Sequence, residues 1–272
     1  MKNQQAIITG ATSGIGKAYA HLLASQGWHL LLTGRRVDAL KSLKCQLENS
    51  FNARVEIMRV EFNDSNQFKK LLMHIKTMRS VELLINNAGY GSAEGFFDHS
   101  YEEENRMLNV HITAATHLIH SVVPNMIMHQ KGTIINVSSL SAFMPASFNY
   151  FYCASKRFMV SFSECLYLDL ERYNINVQAL CPGFVKTDFH LRRKGKAKEQ
   201  KILKSKFLWM EADEVVAYSL KNISIHKVIC IPGFINRIIY AIVAMLPKRF
   251  YYWATSINRR SIMKEDGLVA VI

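Results

Sequence analysis

The chain has 272 residues, 49% of them hydrophobic and 20% charged. That composition excludes a disordered or fibrous chain, and the length is sufficient to bury a complete sheet in one α/β core. The formal net charge of +13 is uneven, because residues 191–206 carry eight Lys and Arg against a single acid, Glu199. No recognition motif accompanies this run, so it reads as a solvated basic segment and no nucleic-acid partner is expected.

The chain alternates short apolar runs with segments of helical spacing, the pattern of βαβ units around a parallel sheet. Ala6–Thr9 is the first predicted strand. Ile15, Ala18, Tyr19, Leu22 and Leu23 then fall on one helix face until Gly27. Further strands are expected at His29–Thr33, Val55–Val60, Val81–Ile85, Gly132–Val137, Asn176–Leu180 and Val228–Ile231. All are rich in Val, Ile and Leu, as strands covered on both faces must be.

Leu40, Leu43 and Leu47 form one helical stripe between strands, and Phe68, Leu71, Leu72 and Ile75 form another. A long helix is predicted over Asn105–His129 and a second over Tyr152–Tyr173. The expected fold is an α/β Rossmann-type doubly wound parallel sheet of about seven strands in a three-layer αβα arrangement. Without repeats or a low-complexity linker, residues 1–272 read as a single domain, with a substrate cap near 188–210 and an apolar C-terminal extension near 236–260.

Cys45, Cys153, Cys165, Cys181 and Cys230 offer no C-x-x-C pair and an odd count, which points to a reducing compartment. Met1–Gln5 passes directly into the first strand without room for a leader, so the expected location is cytoplasmic, with a peripheral membrane position as the other option. His111, His117, His120 and His129 lack a supporting carboxylate pattern; they read as ordinary helix residues, and no metal is expected.

Between the first strand and helix lies Gly10-Ala11-Thr12-Ser13-Gly14-Ile15-Gly16. Glycines there permit a tight turn and let the backbone approach a pyrophosphate at a helix N-terminus. The second strand ends at Gly34-Arg35-Arg36, without the acid that would meet a ribose 2′-hydroxyl. Two guanidiniums suit a 2′-phosphate instead, so NADP(H) is the predicted cofactor. Tyr152 and Lys156, four residues apart on a predicted helix, share a face. A cation so placed can favour the phenolate of a group whose ordinary pKa is near 10.

Taken together, the glycine loop, Asn86-Asn87-Ala88-Gly89, Ser138-Ser139, the Tyr152/Lys156 pair and Pro182-Gly183 resemble the short-chain dehydrogenase/reductase family from about residue 5 to 190. The resemblance implies catalytic roles for Asn109, Ser139, Tyr152 and Lys156. Tyr152 would be the proton donor or acceptor, Lys156 would lower its pKa and bind the nicotinamide ribose, Ser139 would bind the substrate oxygen, and Asn109 would hold a water leading from Lys156 to solvent. Asn87, Ala88 and Gly89 would lie beside the cofactor, while Pro182, Gly183, Val185 and Thr187 would border the nicotinamide. Glu61-Phe62 stands where the family usually has an Asp beside the adenine, and Ala142 where relatives often have glycine.

The implied reaction is hydride transfer between a carbonyl and an alcohol, on a lipophilic or ketoacyl substrate. Two of its expected partners are a small-molecule carbonyl, free or on an acyl carrier steered by the basic segment, and a second copy of the chain in a homo-dimer or homo-tetramer. The apolar run Ile238–Leu246, followed by the basic-aromatic Lys248–Trp253, covers the pocket, packs at an oligomer interface or touches a membrane surface; packing is favoured. A non-catalytic dinucleotide-binding sensor is the alternative reading. The intact Ser139, Tyr152, Lys156 and Asn109 set argues against it.

Overall fold

The computed structural model describes residues 4–78, 80–91, 100–146, 149–187, 208–223 and 227–265, with side chains as far as Ser256. The strands are β1 (Gln5–Ile8), β2 (His29–Gly34), β3 (Val55–Arg59), β4 (Val81–Asn86), β5 (Gly132–Val137), β6 (Ile175–Leu180), β7 (Phe184–Val185), β8 (Trp209–Met210) and β9 (Ile229–Cys230). Seven of them form one parallel sheet in the order β3-β2-β1-β4-β5-β6-β9. The helices are α1 (Gly14–Ser25), α2 (Val37–Phe51), α3 (Ser65–Thr77), α4 (Tyr101–Leu108), α5 (Ala114–His129), α6 (Tyr150–Leu170), α7 (Ala212–Lys221), α8 (Phe234–Met245) and α9 (Lys248–Glu265).

Side chains alternate across a strand, so each apolar run serves two cores. Ala6, Ile8, Leu30, Leu32, Leu83 and Ile85 face α1, α2 and α7, meeting Tyr19, Leu23, Leu40, Leu47, Val215 and Val216. Ile7, Leu31, Leu84, Ile134 and Val177 point the other way, onto Leu71, Ile75, Leu118, Val122 and Met126 of α3 and α5. Coverage of both faces makes this a Rossmann-type αβα sheet, and it explains why the strands read as unbroken apolar runs. The chain reverses direction across the sheet between β1 and β4, which opens a crevice at the strands' C-terminal ends.

Three features depart from the sequence-based expectations. The helix expected over Asn105–His129 begins earlier, at Tyr101, where Ser100 and Glu103 form a capping box, and it is broken by a π-helical turn at Asn109–Thr113. That turn is closed by the Ala114 N–H donating to the Asn109 carbonyl. An i→i+5 turn inserts extra backbone into a helix and re-aims the side chains it carries. The second departure is the short parallel pairing of β7 with β8, too short to carry a periodicity signal. The predicted basic cap, apart from residues 208–210, lies outside the described residues.

At the C-terminus the expected extension forms α8 and α9, and the third departure is that α8 is packed on one face and exposed on the other. Ile239 and Tyr240 pack against a small core that includes Leu140, Ala142 and Val160, with the Tyr240 ring 4.6 Å from that of Phe143. The opposite face of α8, with Phe234, Ile238, Ile242 and Met245, is exposed. Among the described residues, no helix is long and apolar enough to cross a membrane.

A buried polar relay fixes α6 against the sheet. The Asn86 amide donates to Asn136 Oδ1 at 2.9 Å, Asn136 Nδ2 donates to Ser163 Oγ at 2.9 Å, and the Ser163 hydroxyl donates to the Met159 carbonyl at 2.6 Å. Removing the central member strands a buried donor and a buried acceptor at once. Asn136→Ala is therefore expected to lower unfolding stability by about 2–4 kcal/mol, measured by urea denaturation. A loss under about 0.5 kcal/mol would show that the relay does not hold the helix.

Candidate active site

The loop from Thr9 to Gly16 is tied to the end of β4 by one threonine and one asparagine. Thr9 Oγ1 accepts from the backbone N–H groups of Asn87 (2.9 Å) and Ala88 (3.0 Å), and the Asn87 side-chain amide donates to the carbonyls of Thr9 (2.9 Å) and Gly10 (3.1 Å). Gly10 has φ +64° and Gly14 φ +54°, a region that other residues rarely adopt. At Gly16 a Cβ would stand 2.5 Å from both Asn87 Nδ2 and the Gly10 carbonyl oxygen. The first turn of α1 therefore meets the crevice as bare backbone, its N-cap Ser13 making no side-chain cap. Such a turn presents free N–H groups to an anion.

Arg36, at the end of β2, reaches back to this loop and donates through Nη2 to the carbonyl and hydroxyl oxygens of Thr12, at 3.2 and 3.1 Å. Arg35 pairs with Glu61 at 3.5 Å. The carboxylate that follows β3 is thus held by a guanidinium at the crevice rim.

Across the crevice, α6 carries the other half of the site. Lys156 is 6% exposed; its Nζ donates to the Val137 carbonyl at 2.8 Å and lies 5.7 Å from the Tyr152 ring centroid. The Ser138 hydroxyl donates to the Lys156 carbonyl at 2.8 Å, pinning this turn of α6 to the end of β5. Burial lowers the Lys156 pKa to about 8. Ser139 begins the next loop, its Oγ accepting from the Ser141 N–H at 3.1 Å.

These groups line one cavity of about 380 Å³. It takes in Gly10, Thr12, Ser13, Gly14 and Ile15 at one end and Ser139, Tyr152 and Lys156 at the other, with Arg35, Arg36, Glu61, Phe62, Asn87, Ala88 and Gly89 along the wall between. Pro182, Gly183, Val185 and Thr187 complete it, and Gly16 lies just beneath the lining. Leu208 of the predicted cap and Ile239 of the predicted C-terminal extension also line it, and so do Tyr90 and Met144, which sequence reasoning did not name. Nothing in the sequence around Tyr90 and Met144 marks them as facing a pocket.

Asn109 is the predicted residue that the structure does not bring to the cluster. Its side chain donates to Asn63 Oδ1 at 3.4 Å, and it does not line the cavity. His111, two positions on, is buried at the site instead: Nδ1 lies 2.9 Å from Ser155 Oγ, Nε2 accepts from the Tyr90 N–H at 3.1 Å, and the ring meets that of Tyr152 edge-on at 5.9 Å. The π-helical turn is the physical reason. It sets the side chains of Val110 and His111 inward together, so position 111 rather than 109 faces α6.

Residues 4–198 match the family described as short chain dehydrogenase. Sulfoacetaldehyde reductase of Chromohalobacter salexigens is 35% identical over 191 residues, 69% of this chain and 75% of that protein. Very-long-chain 3-oxoacyl-CoA reductase of Rattus norvegicus is 31% identical over 193 residues, 70% of this chain and 62% of that protein. Among solved structures, a short-chain dehydrogenase from Sphingobium yanoikuyae in complex with NADPH has a TM-score of 0.78 at 26% identity, covering 96% of this chain and 95% of that one.

The buried ammonium has a measurable consequence. With a folded pKa of about 8 against the ordinary 10.5, Lys156 holds fewer protons in the folded chain than in the unfolded one between those values. Stability from this group is therefore present above about 10.5 and lost as pH falls towards 8. Urea unfolding of wild type and Lys156→Met should show the variant's advantage shrinking as pH rises over that interval. A gap independent of pH would mean that the ammonium is not buried as described.

Proposed function

The chain belongs to the short chain dehydrogenase family, and from that premise we propose that it is an NADP(H)-dependent oxidoreductase interconverting a lipophilic ketone or aldehyde and its alcohol. The observation that carries this reading is the joining of Tyr152, Lys156 and Ser139 to the Thr9–Gly16 loop by one continuous cavity. The loop fits the phosphates of a dinucleotide because α1 begins at Gly14 with no side-chain cap from Ser13, which leaves its first backbone N–H groups for an anion.

A bound nicotinamide supplies or takes the hydride. Tyr152 donates a proton to the carbonyl oxygen as it becomes an alkoxide, or accepts one in the reverse direction. The Lys156 ammonium, 5.7 Å from the Tyr152 ring centroid, favours the phenolate form electrostatically. The Ser139 hydroxyl donates to the same substrate oxygen and fixes its position. Asn87, Ala88 and Gly89 on one side of the cavity and Pro182, Gly183, Val185 and Thr187 on the other would hold the nicotinamide end of the cofactor.

Arg36 supports the preference for NADP(H). Its guanidinium already reaches over the phosphate loop to Thr12, where a 2′-phosphate can pair with it, and no acid stands at the end of β2. Glu61 is engaged by the Arg35 guanidinium. Met144, Leu208 and Ile239 at the substrate end support an apolar substrate. The 3-oxoacyl-CoA reductase relative is in keeping with a ketoacyl compound of that kind.

Fluorescence titration with NADPH and NADH, followed by turnover on a panel of ketones, tests the reading. NADPH should bind more tightly, and Arg36→Glu should reduce that preference by about tenfold or more. Tyr152→Phe should lower kcat by about 10²–10⁴-fold while leaving NADPH affinity within about threefold. Tighter binding of NADH would refute the cofactor assignment, and full turnover by the phenylalanine variant would refute the role of Tyr152.

A further inference from the structure

His111 is a buried titratable group that the mechanism above does not use, and it touches three parts of the site. Its ring lies edge-on to Tyr152 at 5.9 Å and to Tyr90 at 5.8 Å. A Cβ added to Gly89, on the cavity wall, would stand 2.9 Å from His111 Nε2 and 3.6 Å from Lys156 Nζ. The imidazole therefore fills the space behind the β4 loop and beside the Tyr152–Lys156 turn of α6.

Donor and acceptor accounting fixes its protonation. The backbone N–H of Tyr90 can only donate, so Nε2 must offer its lone pair and carry no proton. A neutral ring then carries its hydrogen on Nδ1. Ser155 agrees, since its hydroxyl hydrogen goes to the Tyr152 carbonyl at 2.9 Å and leaves an oxygen lone pair for Nδ1–H at 2.9 Å. An imidazolium would set N–H against N–H at Tyr90.

We propose that His111, held as the neutral Nδ1–H tautomer, is a positioning residue that clamps the Tyr152 turn of α6 to the Gly89–Tyr90 loop, and that it neither takes up nor releases a proton during turnover. The inference rests on the oxidoreductase reading only for its effect on kcat; the tautomer follows from geometry alone. Burial and the neighbouring Lys156 ammonium both hold the His111 pKa well below its usual range, in the same direction. Among the described residues, the titratable groups facing the ring are Lys156 and Tyr152 from α6 and Tyr90 from the loop after β4.

Two readouts test it on the full chain. Imidazole ¹⁵N spectra of histidine-labelled protein, assigned by the signals lost in His111→Asn, should show a pyrrole-like Nδ1 and a pyridine-like Nε2, unchanged from about pH 5.5 to 8.5. In steady-state kinetics, His111→Phe should lower kcat by about 10²-fold, through misplacement of the phenol, with NADPH affinity within about threefold of wild type. His111→Asn, which keeps an N–H directed at Ser155, should recover most of that loss, and the pH profile of kcat/KM should keep one shape in wild type and His111→Asn.

A proton on Nε2, a ring that titrates in that range, or an acidic limb of kcat/KM that disappears in His111→Asn would overturn the proposal in favour of a proton carrier. If His111→Phe fails to fold, Ser155→Ala decides the positioning role: a fall of about tenfold in kcat supports it and an unchanged kcat refutes it. A wild type that binds no nucleotide and turns over no ketone refutes the oxidoreductase reading, while the spectra still decide the tautomer.

Discussion

The burial of one ammonium group constrains the arrangement around it. A buried cation is tolerated only where its hydrogen-bond donors are met, and Lys156 gives one of its donors to the Val137 carbonyl at the end of β5. That bond requires α6 to cross the sheet with its Tyr152 turn over the strand ends. Ser138 secures the same turn through the Lys156 carbonyl, and the Asn86-Asn136-Ser163 relay secures the following turns from below. Polar groups inside the core thus do what apolar packing alone does poorly: they select one rotation and one height for a helix.

The other half of the crevice obeys a different constraint, closeness of backbones. The Thr9–Gly16 loop and the end of β4 approach so tightly that Gly10 and Gly16 have no space for a side chain, and Thr9 and Asn87 meet the backbone donors and acceptors that the turn leaves open. The two halves are neighbours because β1 and β4 pair where the strand order reverses. The glycine loop and the Tyr152–Lys156 helix therefore open onto one cavity, although more than 130 residues of chain separate them.

The π-helical turn at Asn109–Thr113 joins these halves. By turning His111 inward it places an imidazole between the loop after β4 and α6, with each ring nitrogen committed to a hydrogen bond. The ring thereby links Gly89 and Tyr90 of the loop after β4 to Ser155 of α6.

The sequence by itself determined the strands of the main sheet, to within a residue or two at their ends, and it named most of the residues that line the cavity. Unbroken apolar runs such as Leu30–Leu32 and Leu83–Ile85 report burial on both faces, and the i, i+4 spacing of Tyr152 and Lys156 fixes their shared face wherever the helix goes. Tertiary structure alone decided what depends on contacts distant in sequence. Arg35 engages Glu61, α8 lays Ile239 over the pocket, β7 finds β8, and the His111 side chain rather than that of Asn109 packs against α6. Helical periodicity assumes one uniform rotation per residue, and a single i→i+5 turn breaks that assumption without leaving a mark in the pattern of apolar residues.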